Sequence, residues 1–276
     1  MLNNQLFLVI KVGGSFFEQE QAQQDFFAAL NILRSYSYKI VLVHGGGQQI
    51  QARLSQLGFN SEKYQGLRIT PSEHMPIVAG VLAGELNKRL VAKAKTAGIA
   101  ACGISLADGN MTTCTALEPK LGAVGKVAPE DPEILKVLLA SHCLPIVASI
   151  AADSHGQLYN VNADDAAVCI AQLLQARLML LSDVNAVLDA KGESIKHLSQ
   201  QQQATLIEDG VIRDGMTVKV AAAQAAADSI QQSVVIGNWS QLAAFAKHPK
   251  QAFGTEFTPS KDYSYEGTND SASTAL

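Results

Sequence analysis

The residues that could do chemistry in this chain are lysines beside glycine turns, together with a cluster of asparagines and aspartates. Lys11 directly precedes a Gly-Gly pair, and the triple-glycine run Gly45-Gly46-Gly47 ends a β-branched apolar stretch. Lys219 follows a second glycine turn further along the chain. Lysine ammonium groups and the free backbone N–H groups of such turns attract negative charge. This set suits phosphoryl transfer, whose catalysis depends on positioning and on neutralising negative charge.

Each of these features also has a plain structural interpretation. A glycine run can be a tight strand–helix turn without any ligand, and Lys11 can be a strand-end lysine that reaches solvent. Lys219 can be an ordinary exposed helix lysine. Asp164 follows Asn162, a natural helix N-cap, where a carboxylate also complements the helix dipole. The convergence of these residues in one crevice is what would favour chemistry.

Common nucleotide and hydrolase fingerprints are missing from the sequence. There is no G-x-x-x-x-G-K-[ST] motif and no G-x-G-x-x-G after a strand, which argues against P-loop and dinucleotide-binding enzymes. H-E-x-x-H and G-x-S-x-G are also absent, so neither a metalloprotease nor a nucleophile elbow is indicated.

Composition sets the remaining limits. A chain of 276 residues with 47% hydrophobic content predicts one large or two smaller domains. The net charge of −4 argues against a nucleic-acid or anionic-membrane surface. Four cysteines without CxxC spacing predict reduced thiols in a cytoplasmic protein, and neither a zinc site nor a disulfide framework. The apolar run at Leu6–Ile10 is too short for a signal peptide or a membrane span.

The hydrophobic pattern alternates between buried strands and amphipathic helices. Leu6–Val12, Val41–Val43, Leu144–Ile150 and Leu178–Asp183 read as strands covered on both faces, as in a parallel sheet. We therefore predict an α/β fold, a three-layer αβα sandwich with a mainly parallel central sheet and two lobes. Residues 122–127 are predicted to be a surface hairpin.

Ligands of such sheets gather at the carboxyl ends of the strands. Lys11, the glycines at 45–47 and Asp183 fall at predicted strand ends, and Asn160–Asp164 lies just before a predicted helix. We expect them to meet in one crevice.

Six short motifs occur in an order that is specific to one enzyme family. They are Lys11-Val12-Gly13-Gly14, His44-Gly45-Gly46-Gly47, Gly66-Leu67-Arg68-Ile69-Thr70, Asn160-Val161-Asn162-Ala163-Asp164, Leu181-Ser182-Asp183-Val184, and Asp214-Gly215-Met216 with Lys219. On these motifs the chain, from about Leu6 to Phe257, resembles the amino-acid kinase family. Within that family it is similar to the kinases of N-acetyl-L-glutamate in arginine biosynthesis.

The resemblance implies transfer of the γ-phosphoryl of MgATP to the side-chain carboxylate of N-acetyl-L-glutamate, giving N-acetyl-L-glutamyl 5-phosphate without a covalent enzyme intermediate. Mg²⁺ would be carried by the nucleotide, without dedicated protein ligands. The catalytic residues implied are Lys11, Lys219 and Asp164. The lysines would stabilise the transferring group, and Asp164 would orient them rather than act as a base.

The resemblance also implies two sets of binding residues. The acceptor substrate would be held by Gly46, Gly47, Arg68 and Asn160. The nucleotide would be held by Gly14, Asp183, Val184, Asn185, Ala186, Val187, Leu188, Val211, Ile212 and Arg213. Ala186 stands where the family commonly has glycine, which is a departure on the nucleotide side.

The implied organisation has three parts. Residues 1–176 would bind N-acetyl-L-glutamate and form a homodimer, 177–258 would bind ATP, and 259–276 would be a disordered tail. Because the first strand begins by Leu6, we expect no N-terminal interlinking helix and no inhibition by arginine. A related kinase with another carboxylate substrate, or a non-catalytic amino-acid sensor on the same fold, is the alternative.

Overall fold

The computed structural model describes residues 6–213, 215–249, 251 and 253–260. The strands of this part are β1 (Leu6–Val12), β2 (Tyr38–His44), β3 (Lys63–Tyr64), β4 (Leu67–Arg68), β5 (Ala101–Ser105), β6 (Thr112–Ala116), β7 (Gly125–Pro129), β8 (Leu144–Ala148), β9 (Ile150–Ala152), β10 (Leu158–Asn160), β11 (Arg177–Ser182), β12 (Val234–Asn238) and β13 (Thr255–Phe257). The α-helices are α1 (Glu20–Ser35), α2 (Gly47–Gln56), α3 (Met75–Ala79), α4 (Asn87–Thr96), α5 (Glu133–Ala140), α6 (Ala163–Leu174), α7 (Gln200–Glu208), α8 (Gly215–Ile230) and α9 (Leu242–Lys247).

One seven-stranded sheet organises the molecule, in the order β13-β12-β11-β1-β2-β8-β5. Neighbouring strands are parallel except for β12 and β13, which pair antiparallel. The predicted α/β fold with a mainly parallel sheet is therefore confirmed. The β1 strand lies in the middle, where Lys11 is in register with Val43 on one side and Leu180 on the other. Strand ends from distant parts of the chain thus meet at one edge.

Burial explains why the central strands form. Successive residues Leu8, Val9 and Ile10 of β1 are at most 1% exposed, so both faces of this strand are covered. On α1, Phe26 and Phe27 are buried together with Leu30 and Leu33, as the apolar spacing of that segment predicts.

Two predictions for residues 122–150 are wrong in detail. The predicted strand Leu144–Ile150 ends at Ala148, and Ile150 begins β9, which pairs antiparallel with β10 instead of continuing the main sheet. Residues 122–127 are not a surface hairpin by themselves. The hairpin consists of β6 and β7, and Ala123 and Val124, which lie between these strands in sequence, are buried. Apolar runs alone do not show where a chain leaves one sheet for another.

The helical segment after Pro71 is less regular than its pattern indicates. Residues 72–96 are helical, but a π-helical stretch, Gly80–Leu86, separates α3 from α4. This stretch turns Leu82 and Leu86 towards the triple-glycine turn.

The predicted tail begins at Pro259, and its residues 261–276 lie outside the part of the chain that the structure describes. Among the described residues, no helix combines the length and apolar character that crossing a membrane requires.

Candidate active site

An ion pair joins the end of β1 to the start of α6. Lys11 Nζ lies 2.8 Å from Asp164 Oδ1, and the lysine side chain is only 14% exposed. Asn162 caps α6, because its side-chain oxygen accepts the backbone N–H of Asp164 at 2.8 Å. The predicted N-cap is confirmed, and it fixes the carboxylate that faces Lys11.

Lys219 reaches the same place from α8. Lys11, Asp164 and Lys219 line one small cavity of about 60 Å³, together with Leu181 of β11 and Ile236 of β12. Lys219 itself is exposed. A cavity with two ammonium groups, a carboxylate and apolar walls is suited to an anionic group whose charge must be balanced.

The triple-glycine turn is tightly packed at Gly45 and Gly46 but open at Gly47. A Cβ atom at Gly45 would lie 2.9 Å from Ala163 Cβ, and one at Gly46 would lie 2.2 Å from Leu86 Cδ1. A Cβ at Gly47 would meet nothing within 4 Å. The turn is therefore wedged between α6 and the π-helical stretch, and its free flank opens at the N-terminus of α2, where backbone N–H groups attract anions.

Arg68 is held in place before any ligand binds. It lies on β4 of the small β3–β4 hairpin. Its guanidinium donates to Gly47 O at 2.7 Å, to Gln51 Oε1 at 2.9 Å and to Ser61 Oγ. Burial lowers the pKa of Arg68, yet guanidinium groups stay protonated in proteins. The result is a fixed cation with a planar fork suited to a carboxylate.

Asn160 lies across the same cavity from Arg68. Its amide Nδ2 donates to Thr70 Oγ1 at 3.1 Å, and its backbone N–H donates to Ala123 O at 2.9 Å. The cavity they share has a volume of about 180 Å³ and is also lined by Gly45–Gly47 and Val124. It combines the cations of Lys63 and Arg68, the amides of Asn160 and Asn162 and apolar contacts, which suits a small polar molecule with a carboxylate.

His44 supports the turn from below without facing a ligand. It is buried, and its Nδ1 is 3.0 Å from Gly45 O while its Nε2 is 3.2 Å from Asn87 Nδ2. These neighbours suit a neutral ring with the proton on Nδ1. Burial lowers the pKa of His44 to about 4. This placement makes His44 a structural residue beside the turn.

A wide, open cleft of about 630 Å³ continues from the acceptor cavity towards β11. Gly14, Gly47 and Arg68 border it, and Asp183 borders it from the opposite side. Gly47 and Arg68 also line the 180 Å³ cavity, so the two spaces are continuous. The strand-end residues of the sequence prediction thus lie along one edge of the sheet.

Apart from Gly14 and Asp183, the residues predicted for the nucleotide are not among those that line this cleft in the described part of the chain. Asn185 accepts from Asn238 Nδ2 at 2.9 Å, which ties the turn after β11 to the end of β12. Some side chains of this set are buried (Ala186, Val187 and Ile212), and Arg213 and Leu188 are exposed. Val184 and Val211 are half-buried. Only backbone groups of the buried members can face a ligand.

A further cavity, of about 450 Å³, lies beside β13 and contains none of the predicted residues. Arg177 and Glu256 form an ion pair of 3.0 Å in its wall. We therefore assign the chemistry to the carboxyl edge of the sheet, where the predicted residues converge.

The family model for the amino acid kinase family matches residues 7–238. This span holds the ion pair, both glycine turns and the fixed arginine. The chain belongs to the amino acid kinase family.

Relatives and solved structures agree with this assignment. The chain is 46% identical to an acetylglutamate kinase of Colwellia psychrerythraea, over 84% of this chain and 88% of the relative. It is 43% identical to an acetylglutamate kinase of a Shewanella species, over 94% and 100%. The structure of smu.665 from Streptococcus mutans superposes with a TM-score of 0.76 at 27% identity, covering 92% of this chain and 99% of that one.

More distant members of the fold superpose as well. An N-acetylglutamate synthase from Neisseria gonorrhoeae, crystallised with coenzyme A and N-acetyl-glutamate, gives a TM-score of 0.78 at 19% identity. The superposition covers 93% of this chain and 60% of the synthase chain. A Giardia carbamate kinase gives 0.63 at 18% identity, with 94% and 100% covered. At these identities the likeness shows the amino acid kinase fold alone.

The sequence did not predict the residues that hold Arg68 and Asn160 in place. Gln51 and Ser61 fix Arg68, and Thr70 fixes Asn160. A signal exists only for Thr70, which stands in the Gly-Leu-Arg-Ile-Thr string. Gln51 lies one helical turn beyond Gly47, a position that a polar residue occupies on most surface helices.

Proposed function

We infer that this chain is an enzyme that transfers the γ-phosphoryl group of MgATP to the side-chain carboxylate of N-acetyl-L-glutamate, a step of arginine biosynthesis. Relatives named acetylglutamate kinase match most of the chain at 43–46% identity. The observation that carries the chemistry is the placement of Lys11, Asp164 and Lys219 around one cavity at the carboxyl edge of the sheet.

The residues around the cleft fit a nucleoside triphosphate. Gly47 leaves open space at the N-terminus of α2, and Gly14 faces the same cleft, so backbone N–H groups from two turns can meet phosphate oxygens. Bound MgATP supplies the phosphoryl group, and we propose that Mg²⁺ is carried by its phosphates. Asp183, at the opposite side of the cleft, borders the space for the rest of the nucleotide.

The transfer forms a bond between the acceptor carboxylate oxygen and the γ-phosphorus, and it breaks the bond to the bridging oxygen of the leaving diphosphate. We propose that Lys11 stabilises the transferring group and that Lys219 stabilises the leaving side. Asp164 holds Lys11 at 2.8 Å. Asp164 is an orienting group because a carboxylate acceptor carries no proton to remove. No covalent intermediate is needed.

The acceptor binds, in this proposal, in the 180 Å³ cavity. The Arg68 fork holds its α-carboxylate, and Asn160 holds its acetylamino group. The amides of Gly46 and Gly47 donate to its reacting end. A free amino acid would bring an ammonium group to this cavity, where Arg68 is fixed, so the acetylated substrate is favoured.

Nucleotide binding involves the segments after β11 and before α8 in this proposal. The set is Gly14, Asp183, Val184, Asn185, Ala186, Val187, Leu188, Val211, Ile212 and Arg213. Ala186, Val187 and Ile212 act through their backbone, because their side chains are buried.

We also propose that residues 1–176 bind the acceptor and form a homodimer, and that 177–258 bind ATP. In this part β5 is the edge strand of the main sheet, and side chains of Lys88 and Asp108 already bond its Gly103 O and Ser105 N. We place the reaction in the cytoplasm, where unpaired thiols such as those of the four cysteines persist.

The test is ATP-dependent formation of acyl phosphate, trapped with hydroxylamine, with N-acetyl-L-glutamate, L-glutamate and L-aspartate as parallel acceptors. We expect turnover with the acetylated substrate alone. Lys11→Ala should lower kcat by about 1,000-fold, because it removes a cation from the developing charge.

Lys126→Ala is the matched control, since Lys126 is an exposed lysine on β7 that lines none of the three cavities of the site. It should keep wild-type kcat. Turnover with L-glutamate but not with the acetylated form would reassign the substrate, and no turnover with any acceptor would indicate a sensor. Equal kcat values for Lys11→Ala and the wild type would contradict the site.

A further inference from the structure

Gln49 lies between the two glycine turns of the site. It is in the first turn of α2, and its amide Nε2 donates to Gly14 O at 3.1 Å and to Glu18 Oε1 at 2.6 Å. Its Oε1 is the other end of the same amide. A Cβ atom at Gly14 would be 3.3 Å from that oxygen, and one at Gly46 would be 3.7 Å from it. One side chain therefore fills the gap between both turns.

The backbone links the two turns only at their base. Gly45 N donates to Val12 O at 3.4 Å, which extends the β1–β2 ladder by one bond. Beyond this bond the chains diverge, one into the short 3₁₀-helix Gly14–Glu18 and the other into α2. Among the described residues, the side-chain amide of Gln49 is the next link between them.

The orientation of the amide is fixed by its neighbours. Both partners on one side, a carbonyl and a carboxylate, can only accept, so the NH₂ end must face them. The buried Oε1 has no partner within the described part of the chain. An oxygen that can only accept is unsuited to binding a phosphate oxygen directly. The structure thus separates Gln49 from the phosphate-binding groups themselves.

We propose that Gln49 is a positioning residue that sets the distance between the Gly14 turn and the Gly46-Gly47 turn. This proposal rests on the function inferred above, in which the Gly14 turn meets phosphates of the nucleotide and the Gly46-Gly47 turn meets the reacting end of the acceptor. If the turns separate, each still binds its own ligand, but the two ligands no longer align for transfer. Misplacement of about 1 Å can lower a transfer rate by about 100-fold.

The experiment compares Gln49→Leu and Gln49→Asn with the wild type. Leucine keeps most of the volume and removes both hydrogen bonds, whereas asparagine keeps the amide and shortens its reach. We expect kcat to fall about 30-fold in Gln49→Leu and about 10-fold in Gln49→Asn, with KM for ATP and for N-acetyl-L-glutamate within threefold of wild type.

A second readout distinguishes positioning from general loss of structure. ADP with aluminium fluoride and N-acetyl-L-glutamate mimics the transferring phosphoryl group, so its affinity should fall in parallel with kcat, while ATP affinity stays within threefold. Gln56→Leu, at the exposed far end of α2, is the matched control and should match the wild type in both measurements.

The outcomes are separable. A wild type without turnover would overturn the proposed function, and this inference with it. An active wild type with both Gln49 variants within twofold of its kcat would overturn the inference alone. So would an equal loss of affinity for ATP and for the mimic, because that pattern indicates a damaged fold rather than misaligned turns.

Discussion

The acceptor side and the nucleotide side of this site are built differently. On the acceptor side, Arg68 makes hydrogen bonds to three partners, and Asn160 is fixed by Thr70. On the side proposed for the nucleotide, Asp183 is exposed at the wall of an open cleft, and Lys219 is exposed beside the small cavity that holds Lys11 and Asp164. In the proposed assignment, the pocket for the amino acid is therefore preorganised, and we expect the cleft for the nucleotide to gain contacts when ligand binds. We expect substitutions on the two sides to affect different kinetic constants.

The largest effects should come from exchanging one cation on each side. Lys219→Met removes a charge from the leaving side and should lower kcat by about 100-fold or more, with KM for ATP raised.

Arg68→Lys keeps the charge but loses the bidentate guanidinium, and should raise KM for N-acetyl-L-glutamate by about 30-fold with little change in kcat. Steady-state kinetics with each substrate varied in turn measures both.

Arg53→Lys serves as the control for an arginine exchange, because Arg53 is exposed on α2 and lines none of the three cavities of the site; we expect less than threefold change in either constant. If Lys219→Met raised only the KM of the amino acid, or if Arg68→Lys lowered only kcat, the division between the two sides would be wrong.

The second prediction concerns the buried histidine under the acceptor pocket. Burial holds the pKa of His44 at about 4, below the ordinary value of 6.5. The unfolded chain therefore takes up the proton first, and stability is fully present above pH 6.5 and is lost as pH falls towards 4. Since one pKa unit corresponds to about 1.4 kcal/mol, up to about 3 kcal/mol of unfolding free energy is lost.

Urea unfolding of wild type and His44→Asn at pH 7.5, 5.5 and 4.5 measures this effect. The variant should be less stable at pH 7.5 and should show a flatter pH dependence. His155→Asn, at an exposed turn, should keep the wild-type slope. A wild-type slope in His44→Asn would show that other groups govern acid unfolding.

The smallest effect distinguishes two adjacent glycines. Gly46→Ala would bring a methyl group within 2.2 Å of Leu86 Cδ1 and 2.9 Å of Leu82 Cδ2, both buried. We expect a loss of about 1–3 kcal/mol, typical of overpacking. Gly47→Ala meets no atom within 4 Å and should change stability by less than about 0.5 kcal/mol.

Thermal unfolding of both variants gives the comparison, and activity gives a second one. Gly47→Ala places its methyl group in the open cleft, so it should lower activity while stability is kept. Equal stability of the two variants would mean that the π-helical stretch yields easily and that the turn is less tightly wedged than the structure indicates.

Sequence patterns predicted the central elements because these are long and locally determined. The apolar run of β1, the Asn162 cap and the glycine turn each carry their own signal, and the structure places them as expected. The positions of Lys11 and Asp164 follow from these elements. Their 2.8 Å contact is a consequence of sheet order, which brings α6 over the end of β1.

The errors come from short elements with partners far away in sequence. The hairpin that carries Arg68 has strands of two residues each, too short for any periodicity. Val124 looks like part of a surface turn, yet it is buried and forms a β-bridge with Asn160. Gln49 and Gln51 have the composition of solvated helix residues, and only the fold shows that they face other turns.

The central place of β1 also affects how this protein is made. Its two neighbours are β2, which follows at once, and β11, which is translated only after residue 176. On the ribosome, the newly made chain must therefore hold an apolar strand with one unpaired edge until β11 emerges. Such edges recruit other chains, and chaperone protection during synthesis would be most valuable in that interval.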